Sequence, residues 1–229
     1  QLGREKGGWE YTPFLAYQAR FVHSGPEELE GRGTVGGMSS SLFYSYSAGP
    51  AHFIHLASYA PFGDGSEQKE WLRGELKSID KTATPWVFAV VHAPWYNSNK
   101  AHQGEVEELQ MRQSMEGMLC RGGVDVMFAG HVHAYERIGP AFNGTLREGG
   151  LTYINVGDGG NREGLAVEYL DPQPQWSILR EASYGHGKVR IVNGTHAFWS
   201  WHRIQDGEVV AADELELTHT KTSSCKAYA

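Results

Sequence analysis

The sequence predicts an α/β protein: a parallel sheet with helices on its faces, followed by a terminal antiparallel meander. Three observations carry that expectation. Short apolar, β-branched runs (Trp86 to Val91, Val124 to Ala129) alternate with helical periodicities (Glu67 to Ile79, Glu105 to Arg121), and right-handed crossovers between such units generate parallel strands. After residue 150 the pattern changes to strand-like runs separated by turn dipeptides. A histidine follows the first of these buried runs directly and the second after one glycine, at the carboxyl edge where open α/β sheets bind ligands. The 229 residues suit one domain over 1–219 with a short apolar-poor tail over 220–229.

Residues 1–41 are the least regular, with a short helix expected around Phe14 to Phe21 and a surface loop over Ser24 to Ser41. Leu42 to Ser47 and Ala51 to Tyr59 read as strands joined at Ala48-Gly49-Pro50. His52 and His55 fall on opposite faces of the second strand and are read as structural. In the first helix Trp71, Leu72, Leu76 and Ile79 share a face; in the second, Val106, Leu109, Met115, Met118 and Leu119 point to the core and Gly122-Gly123 ends the helix. Leu151 to Val156, Gly187 to Val192, Thr195 to Ile204 and Val209 to His219 are antiparallel candidates. Asn193-Gly194 and Asp206-Gly207 suit type I′ turns between the last three. Phe198, Trp199 and Trp201 read as a sheet-packing strand.

A net charge of −7, from 20 basic and 27 acidic residues, gives no basic surface for a nucleic-acid backbone. No apolar stretch reaches the length of a membrane span. Gln1-Leu2-Gly3-Arg4 is neither a signal peptide nor a natural start, which suggests processing or truncation. The sequons Asn143-Gly144-Thr145 and Asn193-Gly194-Thr195 favour a secretory route where the host glycosylates. Cys120 and Cys225 allow one disulfide at most, or bonds to other chains.

The chemistry concentrates at strand ends. Gly130-His131-Val132-His133 follows the run ending at Ala129; alternate residues of an extended segment share a face, so both imidazoles can enter one space. His92-Ala93-Pro94 follows the run ending at Val91, and Pro94 stops that strand. Three imidazoles on one edge form a candidate metal site, with a donor type suited to Zn, Fe or Mn rather than Ca or Mg.

Val90-Val91-His92-Ala93-Pro94-Trp95-Tyr96-Asn97-Ser98 and Gly130-His131-Val132-His133-Ala134-Tyr135-Glu136-Arg137 resemble the last two metal-binding motifs of the plant-type purple acid phosphatases, a branch of the calcineurin-like metallophosphoesterases. Gly157-Asp158-Gly159-Gly160-Asn161, Arg180 to Gly187 and Trp199 to Gly207 resemble later stretches of the same family, so the resemblance runs from about Phe14 to Asp213. It implies a sandwich of mixed sheets flanked by helices, of which this chain is the carboxyl half. It also implies a dinuclear centre of Fe(III) with Zn(II), Mn(II) or Fe(II): His133 on the iron, His92 and His131 on the divalent ion. The implied activity is an acid phosphatase that hydrolyses phosphate monoesters through a hydroxide held by the two metals. His102 corresponds to one member of a His-His pair that contacts phosphate and protonates the leaving group; the other position is Ala101, a small residue also found in phytate-active relatives. Secretion or a vacuolar location is implied as well, and a homo-oligomer is compatible with the family.

The other residues in these stretches are read as supporting. His186 and His202 are structural or second to the ligands, Asp158 is a turn residue, Glu136 and Arg137 position the histidine loop, and Tyr96 and Asn97 shape the pocket wall. Three histidines cannot saturate two metals. The family's Asp-X-Gly, Gly-Asp-X-X-Tyr and Gly-Asn-His-Glu motifs do not precede His92 in this chain. The expectation is therefore a split, nicked or truncated enzyme whose amino-terminal part, as a second chain or a missing segment, supplies the remaining donors. Two other readings stand beside it. One is another metal-dependent hydrolase, although an amidohydrolase barrel would carry its His-X-His on the first strand. The other is a secreted, non-catalytic relative on the same scaffold.

Overall fold

The computed structural model describes residues 2–5, 8–11, 14, 17, 32–35, 38–205 and 208–219, with side chains for 14, 17, 41–205 and 211–219. The strands are β1 (Leu2–Glu5), β2 (Gly8–Tyr11), β3 (Arg32–Val35), β4 (Met38–Ala48), β5 (Ala51–His55), β6 (Trp86–Val91), β7 (Val126–Ala129), β8 (Tyr135–Phe142), β9 (Thr145–Leu146), β10 (Leu151–Val156), β11 (Ser177–Glu181), β12 (Gly185–Ile191), β13 (His196–Gln205) and β14 (Glu208–Thr218). The helices are α1 (Glu67–Ser78) and α2 (Val106–Gly122). Most of the helix expected around Phe14 to Phe21, the Asp206-Gly207 turn, Cys225 and the 220–229 tail lie outside the described residues.

Nine strands form the central sheet, in the order β11-β8-β10-β7-β6-β5-β4-β3 with β9 beside β8. The β5/β6, β6/β7 and β7/β10 pairs are parallel, as the strand-helix-strand alternation predicts. β6 has apolar residues on both sides because both of its faces are covered. Val87, Ala89 and Val91 pack with Leu72 of α1 and Met111, Met115 and Leu119 of α2. Phe88 and Trp86 pack on the other side with Trp199, Trp201 and Leu217 of the β12-β13-β14 meander.

Local signals account for the helix ends. Ser66 caps α1 by accepting from the Lys69 N–H at 3.3 Å. Gly123, with φ at 71°, ends α2 in the left-handed conformation, and its N–H turns back to the Cys120 carbonyl. His52 pairs with Glu75 at 2.8 Å and His55 stacks on Tyr44 at 4.5 Å, so both are held structurally.

Several expectations need correcting. Residues assigned to a surface loop form β3 and the start of β4. Leu151–Val156 is antiparallel only to β8; its other neighbour is β7, in parallel, so it lies within the central sheet rather than the meander. β8 and β11 were not legible, because Glu136, Arg137 and Pro140 interrupt the apolar pattern of the first and the second is short and half-exposed. Val106 and Leu109 are exposed: Met111, Met115 and Leu119 define the buried line of α2, and the other two residues lie off it. The β12–β13 connection is not a type I′ turn, since neither Asn193 nor Gly194 has positive φ. Instead Asn193 Oδ1 accepts from the N–H groups of Thr195 and His196 at 2.8 and 2.9 Å, an Asx arrangement.

Candidate metal centre

His92 follows β6 and His131 follows β7, and the two strand tips are joined by the Gly130 N–H donating to the His92 carbonyl at 3.0 Å. The histidine segment is not extended. The Val132 N–H reaches the Gly130 carbonyl at 2.7 Å and the Ala134 N–H reaches the Val132 carbonyl at 2.8 Å, giving consecutive three-residue turns. His131 sits at the centre of the first with φ at 62°, a conformation that costs a non-glycine residue on the order of 1–3 kcal/mol. Tight turns, not strand alternation, therefore aim the two imidazoles. Gly157, at the end of β10, lets this segment pack down: a Cβ there would lie 2.0 Å from the Val132 carbonyl oxygen.

His92 Nε2 stands 3.1 Å from His131 Nδ1. Two nitrogens that share one ion at about 2.0–2.1 Å, near a tetrahedral angle, stand roughly 3.1–3.4 Å apart. The spacing thus fits two ligands of one ion. Protein packed round His92, and then the imidazoles of His131, His102 and His133, hold its pKa below the ordinary histidine value. That favours the neutral, ligating form.

His133 points elsewhere. Its Nε2 faces the Asn161 amide nitrogen at 2.9 Å, its Nδ1 lies 3.9 Å from Glu163 and its carbonyl accepts from the Ala166 N–H at 2.9 Å. The loop after β10 thereby wraps this histidine separately from the His92–His131 pair. That division fits two ions better than one.

His102 comes into the same cluster: its ring lies 3.8 Å from that of His131, centroid to centroid, with φ at 60°. Glu105, read from the sequence only as the start of a helix, bonds His102 Nδ1 at 2.8 Å and His131 Nε2 at 3.0 Å. His102, Glu105 and His131 form the group whose ligand atoms lie within 4.8 Å of one another, among the described residues. An acidic residue three positions after His102, just before a helix, was the available signal.

The supporting residues differ from their sequence-based roles. Glu136 is buried and accepts from the Ser98 N–H at 2.9 Å and from the Ser98 and Ser177 hydroxyls at 2.5 Å; it secures the loop after His92 rather than the histidine turn. Burial raises its pKa against these donors. Arg137 points to the meander, where it grips Asp213. Tyr96 is no pocket wall. It lies in the core and donates to Glu116 at 2.6 Å; burial first, and then the Glu116 carboxylate, pushes its pKa up. Asn97 knits its own loop by donating to the Ala101 carbonyl at 2.8 Å. Asp158 occupies a turn as expected, and also accepts from Trp201 Nε1 at 2.7 Å, tying the meander to the site. His186 and His202 face each other across β12 and β13, their rings 5.3 Å apart.

Residues 10–135 match the calcineurin-like phosphoesterase family, and residues 150–212 match the iron/zinc purple acid phosphatase-like protein C family. Probable purple acid phosphatase 20 of Arabidopsis thaliana is 50% identical over 216 residues, covering 94% of this chain and 49% of the relative. Purple acid phosphatase 1 of Ipomoea batatas is 42% identical over 219 residues, covering 91% and 44%. The chain spans about half the length of the curated relatives it matches. Among solved structures, purple acid phosphatase PPD1 from yellow lupin seeds aligns with a TM-score of 0.69 at 25% identity, over 77% of this chain and 32% of that one.

Proposed function

The chain belongs to the calcineurin-like phosphoesterases of the purple acid phosphatase type, and we propose from that premise that it supplies part of the dinuclear site of an acid phosphatase acting on phosphate monoesters. The observation that carries the proposal is the 3.1 Å separation of His92 Nε2 and His131 Nδ1 at adjacent strand tips. These two imidazoles would hold the divalent ion, Zn(II), Mn(II) or Fe(II), and His133 would hold Fe(III). When bound, the metal pair supplies Lewis-acid polarisation of phosphate oxygens and of an attacking water. His102, exposed beside His131, would as an imidazolium protonate the departing alcohol oxygen.

The remaining donors would come from an amino-terminal part of the same enzyme. Tyr59 and Val106, exposed apolar residues beside His92 and Glu105, suit cover by such a segment. Two observations bear on substrate. The small Ala101 before His102 favours a phytate-active form. Glu105 and Glu163 stand beside the histidines and oppose a polyanion, so simple monoesters are the better reading. Both sequons lie at exposed turns, which supports a secreted or vacuolar glycoprotein. Among the described residues no helix is long and apolar enough to cross a membrane.

The test is to express this chain with and without the amino-terminal part of a longer form and assay an aryl phosphate at acid pH with metal analysis. The expected result is turnover and two metals in the complete protein only. Full turnover by this chain alone defeats the split site, and fewer than two metals in an inactive complete protein supports a binding-only relative.

A further inference from the structure

Glu105 occupies the N-cap position of α2, yet its side chain makes no cap bond. Helices favour Ser, Thr, Asp or Asn there because a short side chain reaches the free N–H groups. Here the backbone does part of that work: the Glu105 carbonyl accepts from the N–H groups of Glu108 and Leu109 at 3.1 and 3.0 Å, while Glu108 turns back to accept from the Gly104 N–H at 2.8 Å. The Glu105 carboxylate is thus free of the helix and faces two histidines delivered by different loops.

We propose that Glu105 is a positioning residue that fixes the tautomer of His131 and the direction of both His131 and His102, one carboxylate oxygen to each. The inference rests on the functional reading above. An ionised carboxylate only accepts, so the ring nitrogens facing it carry hydrogens. His131 bonds Glu105 through Nε2 at 3.0 Å, which in the neutral ring leaves the lone pair on Nδ1, the atom 3.1 Å from His92 Nε2. Glu105 therefore selects the nitrogen of His131 that can ligate. A metal-bound histidine held by a carboxylate at its other nitrogen is a recurrent arrangement, because the carboxylate orients the ring and raises its basicity. The second oxygen takes His102 Nδ1 at 2.8 Å, so Nε2 lies on the side of the ring away from Glu105. One residue orients both the ligand and His102, which donates from Nε2 only as an imidazolium carrying hydrogens on both nitrogens; the two rings, tilted with centroids 3.8 Å apart, share that anchor.

The test uses the complete protein with Glu105→Gln, Glu105→Ala and Glu105→Asp, and reads two quantities. Divalent-metal affinity, measured by equilibrium dialysis of Zn(II) against a chelator, should weaken about 10- to 100-fold in Glu105→Ala, with partial recovery in Glu105→Asp. The kcat ratio between a nitrophenyl phosphate and an alkyl phosphate should rise in Glu105→Ala and Glu105→Gln, since only the poor leaving group needs the proton. Circular dichroism of the near-isosteric Glu105→Gln separates loss of positioning from loss of fold. Wild-type zinc affinity together with an unchanged leaving-group ratio in Glu105→Ala overturns this inference. A wild-type protein that binds no metal pair overturns the functional reading instead.

Discussion

Arg137 and Asp213 form a two-pronged ion pair, Nε to Oδ2 at 2.6 Å and Nη2 to Oδ1 at 2.9 Å, across the boundary between the central sheet and the meander. Tyr135 donates to the same Oδ2 at 2.6 Å and itself accepts from Trp199 Nε1 at 2.9 Å. The residues directly after the histidine turn are therefore bolted to β13 and β14. Asp213→Ala strands the Arg137 charge, whose side chain is only 15% exposed. The expected loss is about 3–5 kcal/mol in a denaturant titration, with Asp213→Asn milder.

Gly157→Ala should displace the histidine turn. Its Cβ would meet the Val132 carbonyl oxygen at 2.0 Å, and that contact is with backbone, which cannot rotate away. Overpacking of this kind costs about 1–3 kcal/mol. The expected outcome is a lower melting temperature together with loss of zinc affinity, whereas Gly159→Ala, with open space around it, should change neither.

Stability should gain a pH-dependent increment from His219. Its Nε2 lies 2.8 Å from Asp125 Oδ1 and its Nδ1 donates to the Gly194 carbonyl at 3.0 Å. The bond to Asp125 is the main reason that its pKa lies above the ordinary 6.5, against burial and the nearby Lys81 charge. A raised folded-state pKa means that the contribution is fully present below the unfolded value and disappears as pH rises through the folded one. The stability difference between wild type and His219→Gln should be largest below about pH 6.5 and shrink at alkaline pH, measured by urea unfolding across that range.

Glu136→Ala should loosen the loop that follows His92. Three buried donors, the Ser98 N–H and the hydroxyls of Ser98 and Ser177, would lose their shared acceptor. Unsatisfied groups of this kind cost about 1–3 kcal/mol each, partly offset by removing a buried carboxylate. Faster amide exchange over residues 97–101 is the expected signature.

His92→Ala and His133→Ala should affect different ions, because the structure places the two rings among different partners. Metal analysis of the complete protein should show loss of the divalent ion in the first and of iron in the second. Loss of the same ion from both variants contradicts the assignment.

Legibility followed range. Trp86–Val91 and Val126–Ala129 were readable as strands because burial on both faces forces a continuous apolar run. α2 was readable for its length and its glycine stop, but Val106 and Leu109 were misplaced because composition does not reveal which line of a helix meets the sheet. β8 was hidden because its polar residues are satisfied by distant partners, Glu136 by Ser98 and Ser177 and Arg137 by Asp213. Asn193-Gly194 misled because the Asn193 side chain offered the backbone another turn.

The amino-acid sequence by itself determined the parallel order of the middle strands, the histidines at their carboxyl ends and the family, since each depends on short-range pattern or on contiguous motifs. Only the tertiary structure decided which ring nitrogens meet, that Glu105 stands between His131 and His102, and that Tyr96 belongs to the core. Those outcomes depend on the directions of side chains from separate loops. Such directions are set by turn geometry and packing between segments far apart in the chain, which no local pattern encodes.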